Sequence, residues 1–147
     1  MMPQYHAVIA AVVTAAVGLA LYGDDPITTL LVWVASSAVV AAVIDFDVMA
    51  HVSRAAKHDP SLQRWTDPRN VGRDFRGFIE ALRAKGLLKR AGVTHLGTSV
   101  ALVVVTWLLM PSLLVPVLIG VVTHLGTDVQ YLRAPGTASQ ATRPPSV

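Results

Sequence analysis

Four stretches of this chain, Tyr5 to Tyr22, Ile27 to Ile44, Val93 to Met110 and Leu113 to about Thr127, contain no Asp, Glu, Lys or Arg. The first three have the length of a membrane-spanning helix, and the fourth falls only slightly short. The whole chain of 147 residues is 14% charged, where a water-soluble domain carries about a quarter. Its mean hydropathy is +0.54. These features predict an all-α fold, an integral membrane four-helix bundle occupying residues 1–133 as one domain with no room for a second. A cleaved leader would need basic residues ahead of the first apolar stretch, and none is present.

Charge is confined to one region. Ten of the twelve Lys and Arg lie between Asp45 and Arg90, which marks residues 45–92 as the cytoplasmic loop of a multi-pass protein of the cell (inner or plasma) membrane, with both termini on the same side. The expected partners are membrane lipids, with anionic headgroups rather than nucleic acid at the basic loop. Within the loop, Asp67-Pro68 reads as a helix start. Phe75, Phe78, Ile79 and Leu82 then recur at helical spacing as far as Gly86. That pattern fits an amphipathic helix on the headgroups, or one packed on the loop itself. Asp25 is placed to cap the second span, with Pro26 as its first residue. Gly97 and Gly126 would allow close helix approach. The Pro-, Ser-, Thr- and Ala-rich tail, 134–147, reads as disordered.

Chemistry gathers in the fourth span, where Thr123-His124-Leu125-Gly126-Thr127 is followed by Asp128. Spacing of i, i+4 sets an imidazole and a carboxylate one turn apart on one helical face. The same five letters occur at Thr94 to Thr98, around His95. In the predicted topology His6 opens span one, Asp45 and Asp47 close span two, His95 opens span three, and His124 and Asp128 close span four. All six then meet at the cytoplasmic end. Asp45 and Asp47 would converge only if the helix ends or bends between them. Carboxylates at helix C-termini are opposed by the macrodipole, so they are not expected there as caps.

Imidazole and carboxylate donors without sulfur suit zinc, manganese or iron. Six candidates exceed the three protein ligands of one catalytic zinc, so two ions could be held. The chain has no cysteine, which excludes thiolate sites and disulfides. No glycine-rich phosphate loop is present, and Ser99 and Ser112 have no evident His partner. Two rival readings are a non-catalytic membrane protein with a degenerate metal site, and a transporter. The second should show ionisable groups at mid-depth, where these spans have only hydroxyls and glycines.

The ordered set resembles the membrane-bound metal-dependent hydrolases, whose bacterial members include the LexA-regulated inner-membrane hydrolases. It comprises a His before span one, Asp-x-Asp after span two, Thr-His opening span three and His-x-x-x-Asp ending span four. The resemblance covers roughly residues 3 to 133. It implies a metal site of His6, Asp45, Asp47, His95, His124 and Asp128 and a phosphoesterase or phospholipase-like reaction. In such a site Asp45, Asp47 and Asp128 would serve as ligands or as the base for water, with Asp47 and Asp128 the catalytic candidates. Two departures stand out. Val48 replaces the His of Asp-x-Asp-His, and Arg90-Ala91-Gly92-Val93-Thr94-His95-Leu96 lacks the first His and the Ser of His-Arg-Gly-x-Thr-His-Ser. His51, one helical turn past Val48, is the candidate replacement ligand.

Overall fold

A computed structural model describes residues 3–23 and 26–133, all of it helices and turns among the described residues. Asp25 and the 134–147 tail lie outside them. The helices are α1 (Pro3–Tyr22), α2 (Ile27–Val43), α3 (Phe46–Ala56), α4 (Pro68–Arg73), α5 (Phe75–Ala84), α6 (Leu87–Leu109) and α7 (Leu114–Arg133). Short 3₁₀ segments occupy Pro60–Thr66 and Pro111–Leu113. Four helical stretches are long and apolar enough to cross a membrane.

The distribution of side chains follows from a lipid surrounding. Val8, Val12, Leu31, Val39, Val100 and Leu108 point outward, while His6, Thr14, Ser37, Ser99, Thr106 and His124 are buried. Hydrocarbon solvates the apolar exterior, and polar groups must find partners inside. At mid-depth, Thr14 Oγ1 donates to Ser37 Oγ at 2.7 Å, and Ser37 Oγ faces the carbonyls of Val34 at 3.1 Å and Ala10 at 3.3 Å.

Helices α1, α2 and α7 pack on one another, and α6 lies against α7 and α3. Gly120 of α7 lies close against α2: a Cβ there would lie 2.7 Å from the Ser37 carbonyl oxygen. The glycines singled out in the sequence do not have this role, since a Cβ on Gly97 or Gly126 would meet nothing within 4 Å. Ile44, Val117 and Val121 form the apolar core below the site.

The region read as a loop is mostly helical, and two span boundaries move. Helix α6 starts at Leu87 rather than Val93, and α7 runs to Arg133. The single amphipathic helix expected from Asp67 to Gly86 is two, because Asp74 leaves helical geometry (φ −142°, ψ 63°) and caps α5, accepting from the Gly77 N–H at 2.9 Å. Phe78 and Leu82 of α5 are buried with Val52, Leu62, Trp65 and Val71, so its apolar face packs on protein. Gly86, at φ 66°, supplies the left-handed residue that turns α5 into α6. Two ion pairs fasten this cap, Lys85 Nζ to Asp59 at 2.6 Å and Arg64 to Asp74 at 2.9 Å.

Candidate metal centre

Each of the four spans brings an ionisable group to one end of the bundle. His6 lies one turn into α1, Asp45 at the α2–α3 junction, His95 two turns into α6, and His124 and Asp128 on successive turns of α7. His6 and His124 are completely buried, their ring centroids 4.1 Å apart.

The partners at the backs of the rings decide where the lone pairs point. His124 Nδ1 is 2.8 Å from the Ala41 carbonyl, which can only accept, so Nδ1–H donates. His95 Nδ1 is 2.7 Å from Asp47 Oδ1 and likewise donates. With Nδ1 protonated in both rings, a neutral imidazole leaves a bare lone pair on Nε2. Those two Nε2 atoms are 2.6 Å apart. Two lone pairs at that distance repel unless a positive charge lies on them, either a proton or a metal ion. His6 Nδ1 meets Thr127 Oγ1 at 2.8 Å, and the Thr127 proton has carbonyl acceptors on its own helix at 2.8 and 3.0 Å. This network assigns the same tautomer to His6.

The carboxylates complete a ring of donors. His6 Nε2 lies 3.3 Å from Asp128 Oδ1 and 3.9 Å from Asp45 Oδ2. His124 Nε2 is 3.4 Å from Asp128 and 3.8 Å from Asp45, and His95 Nε2 is 3.5 and 3.8 Å from the same two. Ligand atoms around a tetrahedral ion with bonds of ~2.0–2.1 Å are separated by ~3.3–3.4 Å. Donor atoms of His6, Asp45, His124 and Asp128 all lie within 4.8 Å of one another. His6 Nε2 and Asp45 Oδ2, which face each other, are buried without a hydrogen-bond partner. Burying unpaired polar atoms is unfavourable by ~1–3 kcal/mol each, and a shared cation removes the deficit. These four residues could therefore hold a metal ion, and His95 could join them only with its Nε2 moved back from its 2.6 Å approach to His124.

Two expected ligands fall outside this group. Asp47 has both oxygens engaged: Oδ1 accepts from His95 Nδ1, and Oδ2 accepts from Thr94 Oγ1 at 2.8 Å. His51 Nε2 meets that same Thr94 Oγ1 at 3.0 Å. The cause is that the backbone stays helical between α2 and α3: Ile44 and Asp45 keep right-handed helical dihedrals, and the Ile44 N–H still donates to the Val40 carbonyl at 3.2 Å. Residues two apart on such a path point roughly 200° from one another, so Asp45 and Asp47 end on different sides of His95. The aspartates are also not at helix C-termini as expected. Asp45 precedes α3, Asp47 sits in its first turn where the helix dipole favours a carboxylate, and Asp128 lies more than a turn before the end of α7. Position alone therefore accounts for Asp47, whereas the convergence of the other groups does not depend on dipoles.

Sequence reasoning missed Thr94 and Thr127, which hold Asp47 and His6. The signal was present, because both are threonines of the repeated Thr-His-Leu-Gly-Thr, at i−1 of His95 and i+3 of His124. Those offsets put a hydroxyl near the ligand turn of the same helix. Comparison of the chain with family models, with curated proteins and with solved structures found no match.

Proposed function

We propose that this protein is a membrane-embedded, divalent-metal-dependent hydrolase acting on a phosphoester or lipid headgroup, with its site at the cytoplasmic face. The membrane-bound metal-dependent hydrolases are the family it resembles. One observation carries the reading: donor atoms of His6, Asp45, His124 and Asp128 lie within 4.8 Å of one another, with His95 beside them and the backs of all three rings hydrogen-bonded. Such backing fixes ring orientation and raises ligand basicity at metal sites. Zinc suits this donor set best, and manganese and iron are compatible. Sidedness rests on the basic cap of residues 45–92.

When bound, a divalent ion supplies Lewis acidity and makes water a better nucleophile near neutral pH. His6, His124 and Asp45 would hold it, with His95 joining them once its ring moves off His124. Asp128 has the most exposed carboxylate of the group, its side chain 27% accessible, and can take the proton of the attacking water at Oδ. Hydrolysis would break the ester P–O bond, with the water oxygen going to phosphorus and a proton to the leaving oxygen. Asp47 acts as a positioning residue that keeps His95 protonated at Nδ1, and His51 orients Asp47 through Thr94. Val48, Arg90 and Leu96, the departures from the family pattern, leave the four converging donors and His95 in place.

A second reading is favoured by the His95–His124 contact, which a shared proton alone could occupy. The cluster would then be a non-catalytic remnant that holds the bundle together. Metal analysis after purification in mild detergent separates the two. The hydrolase reading expects about one equivalent of metal or more in the wild type, little in His124→Ala/Asp128→Ala, and turnover on a phosphoester and phospholipid panel that follows the metal. Equal trace metal in both proteins would end it.

A further inference from the structure

Beside the donor cluster, the bundle end and helices α3 to α6 enclose a cavity of about 530 Å³. Asp45, His95 and Asp128 form one wall. The rest is largely apolar, including Met49 of α3, Val71 of α4, Phe75, Ile79 and Leu82 of α5, and Leu88 of α6. Folded interiors leave few voids larger than a water molecule. A partly open, apolar space of this size with its polar groups gathered at one wall has the anatomy of a ligand site.

Shape and chemistry narrow the occupant. The polar wall is the candidate metal centre itself, so whatever fills the apolar part presents its reactive end to Asp45, His95 and Asp128. A methylene takes about the room of a water in the liquid, ~30 Å³, so a single alkyl chain of lipid length fits within this space. The space lies where the apolar spans meet the charged cap, at the depth where a lipid's chain joins its head. Phe75 and Ile79 stand half-buried on α5 and face this space while Phe78 and Leu82 anchor the helix in the cap.

We infer that the cavity holds the single alkyl chain of a membrane-derived amphiphile of the lysophospholipid class, with the bond between chain and head group lying at Asp45, His95 and Asp128. The fate of the head rests on the hydrolase reading, but the binding of the chain does not.

The test is photolabelling of the full chain in mild detergent with a non-cleavable alkyl phosphocholine bearing a mid-chain diazirine, beside its two-chain counterpart. The single-chain probe is expected to label peptides around Val71 to Leu82, and the two-chain probe to label only the lipid-facing spans. Ile79→Trp, and independently Met49→Trp, would fill the space and reduce single-chain labelling by at least about fivefold, the effect of overpacking such a site, with metal content unchanged. Retained labelling in the metal-free His124→Ala/Asp128→Ala protein supports the chain site even if wild-type turnover is never found. Equal cavity labelling by both probes, or labelling that neither Trp variant reduces, would overturn the inference.

Discussion

Replacing Gly120 and Gly126 by alanine, one at a time, should give opposite results, although the two lie on the same helix six residues apart in a chain where both are glycine. At Gly120 a Cβ would lie 2.7 Å from the Ser37 carbonyl oxygen and 3.2 Å from its Cα. Both are backbone atoms of α2, so no side chain can swing away. A carbon–oxygen contact relaxes near ~3.3 Å, so α2 and α7 must part by roughly half an ångström. Overpacking of this kind destabilises by ~1–3 kcal/mol, against which alanine returns ~1 kcal/mol of helix propensity. The net loss of up to ~2 kcal/mol corresponds to a fall in Tm of a few degrees, taking ~2–4 °C per kcal/mol for a chain of this size. The same movement loosens the site, because Ala41, one turn along from Ser37, accepts the 2.8 Å bond from His124, one turn along from Gly120. Gly126→Ala meets nothing within 4 Å and should be neutral or raise Tm. Thermal unfolding of both variants in one detergent, with and without added zinc, is the assay. Equal shifts for the two, or a Gly120→Ala protein as stable as wild type, would refute the close approach of α2 and α7.

Four other outcomes are expected. Asp47→Asn keeps the shape but removes the charge behind His95, and should weaken zinc affinity ~10–100-fold in a chelator competition; an unchanged affinity would make Asp47 a mere helix-end carboxylate. Thr127→Val takes away the partner of His6 Nδ1 and should weaken metal binding in the same assay while the metal-free Tm changes little. Ser37→Ala strands the Thr14 hydroxyl at mid-depth and should destabilise by ~0.6 kcal/mol, at most ~1.7, read from unfolding in detergent. Away from the membrane, hydrogen bonds from Lys85 and Ser61 hold the Asp59 carboxyl at about 2. A depressed carboxylate favours the folded state above the ordinary aspartate range and loses that contribution as pH falls through the folded value. In Lys85→Gln the carboxyl should titrate nearer 4 by NMR, and an unmoved midpoint would discount the ion pair.

Local properties were legible in the amino-acid sequence. The absence of charge over four long segments is enough to require helices in lipid, since no other open structure satisfies its own backbone there. Chain direction then puts His6, Asp45, His95, His124 and Asp128 at one end, because alternate spans reverse. What tertiary structure decided was rotation and approach. Asp47 and His51 lie close to Asp45 in sequence, yet the helical path continuing through Ile44 and Asp45 carries them behind His95, where Thr94 and the imidazole Nδ1 take their polar atoms. Gly97 and Gly126 read as contact glycines but face open space, while Gly120 lies against Ser37. Asp74 lies among charged residues that a helix would tolerate, and it breaks the amphipathic segment because its carboxylate caps Gly77 and pairs with Arg64, a partner outside that helix. A helix can turn about its own axis without changing its hydropathy, so which face meets a neighbour is set by packing between helices, and composition along one of them does not contain it.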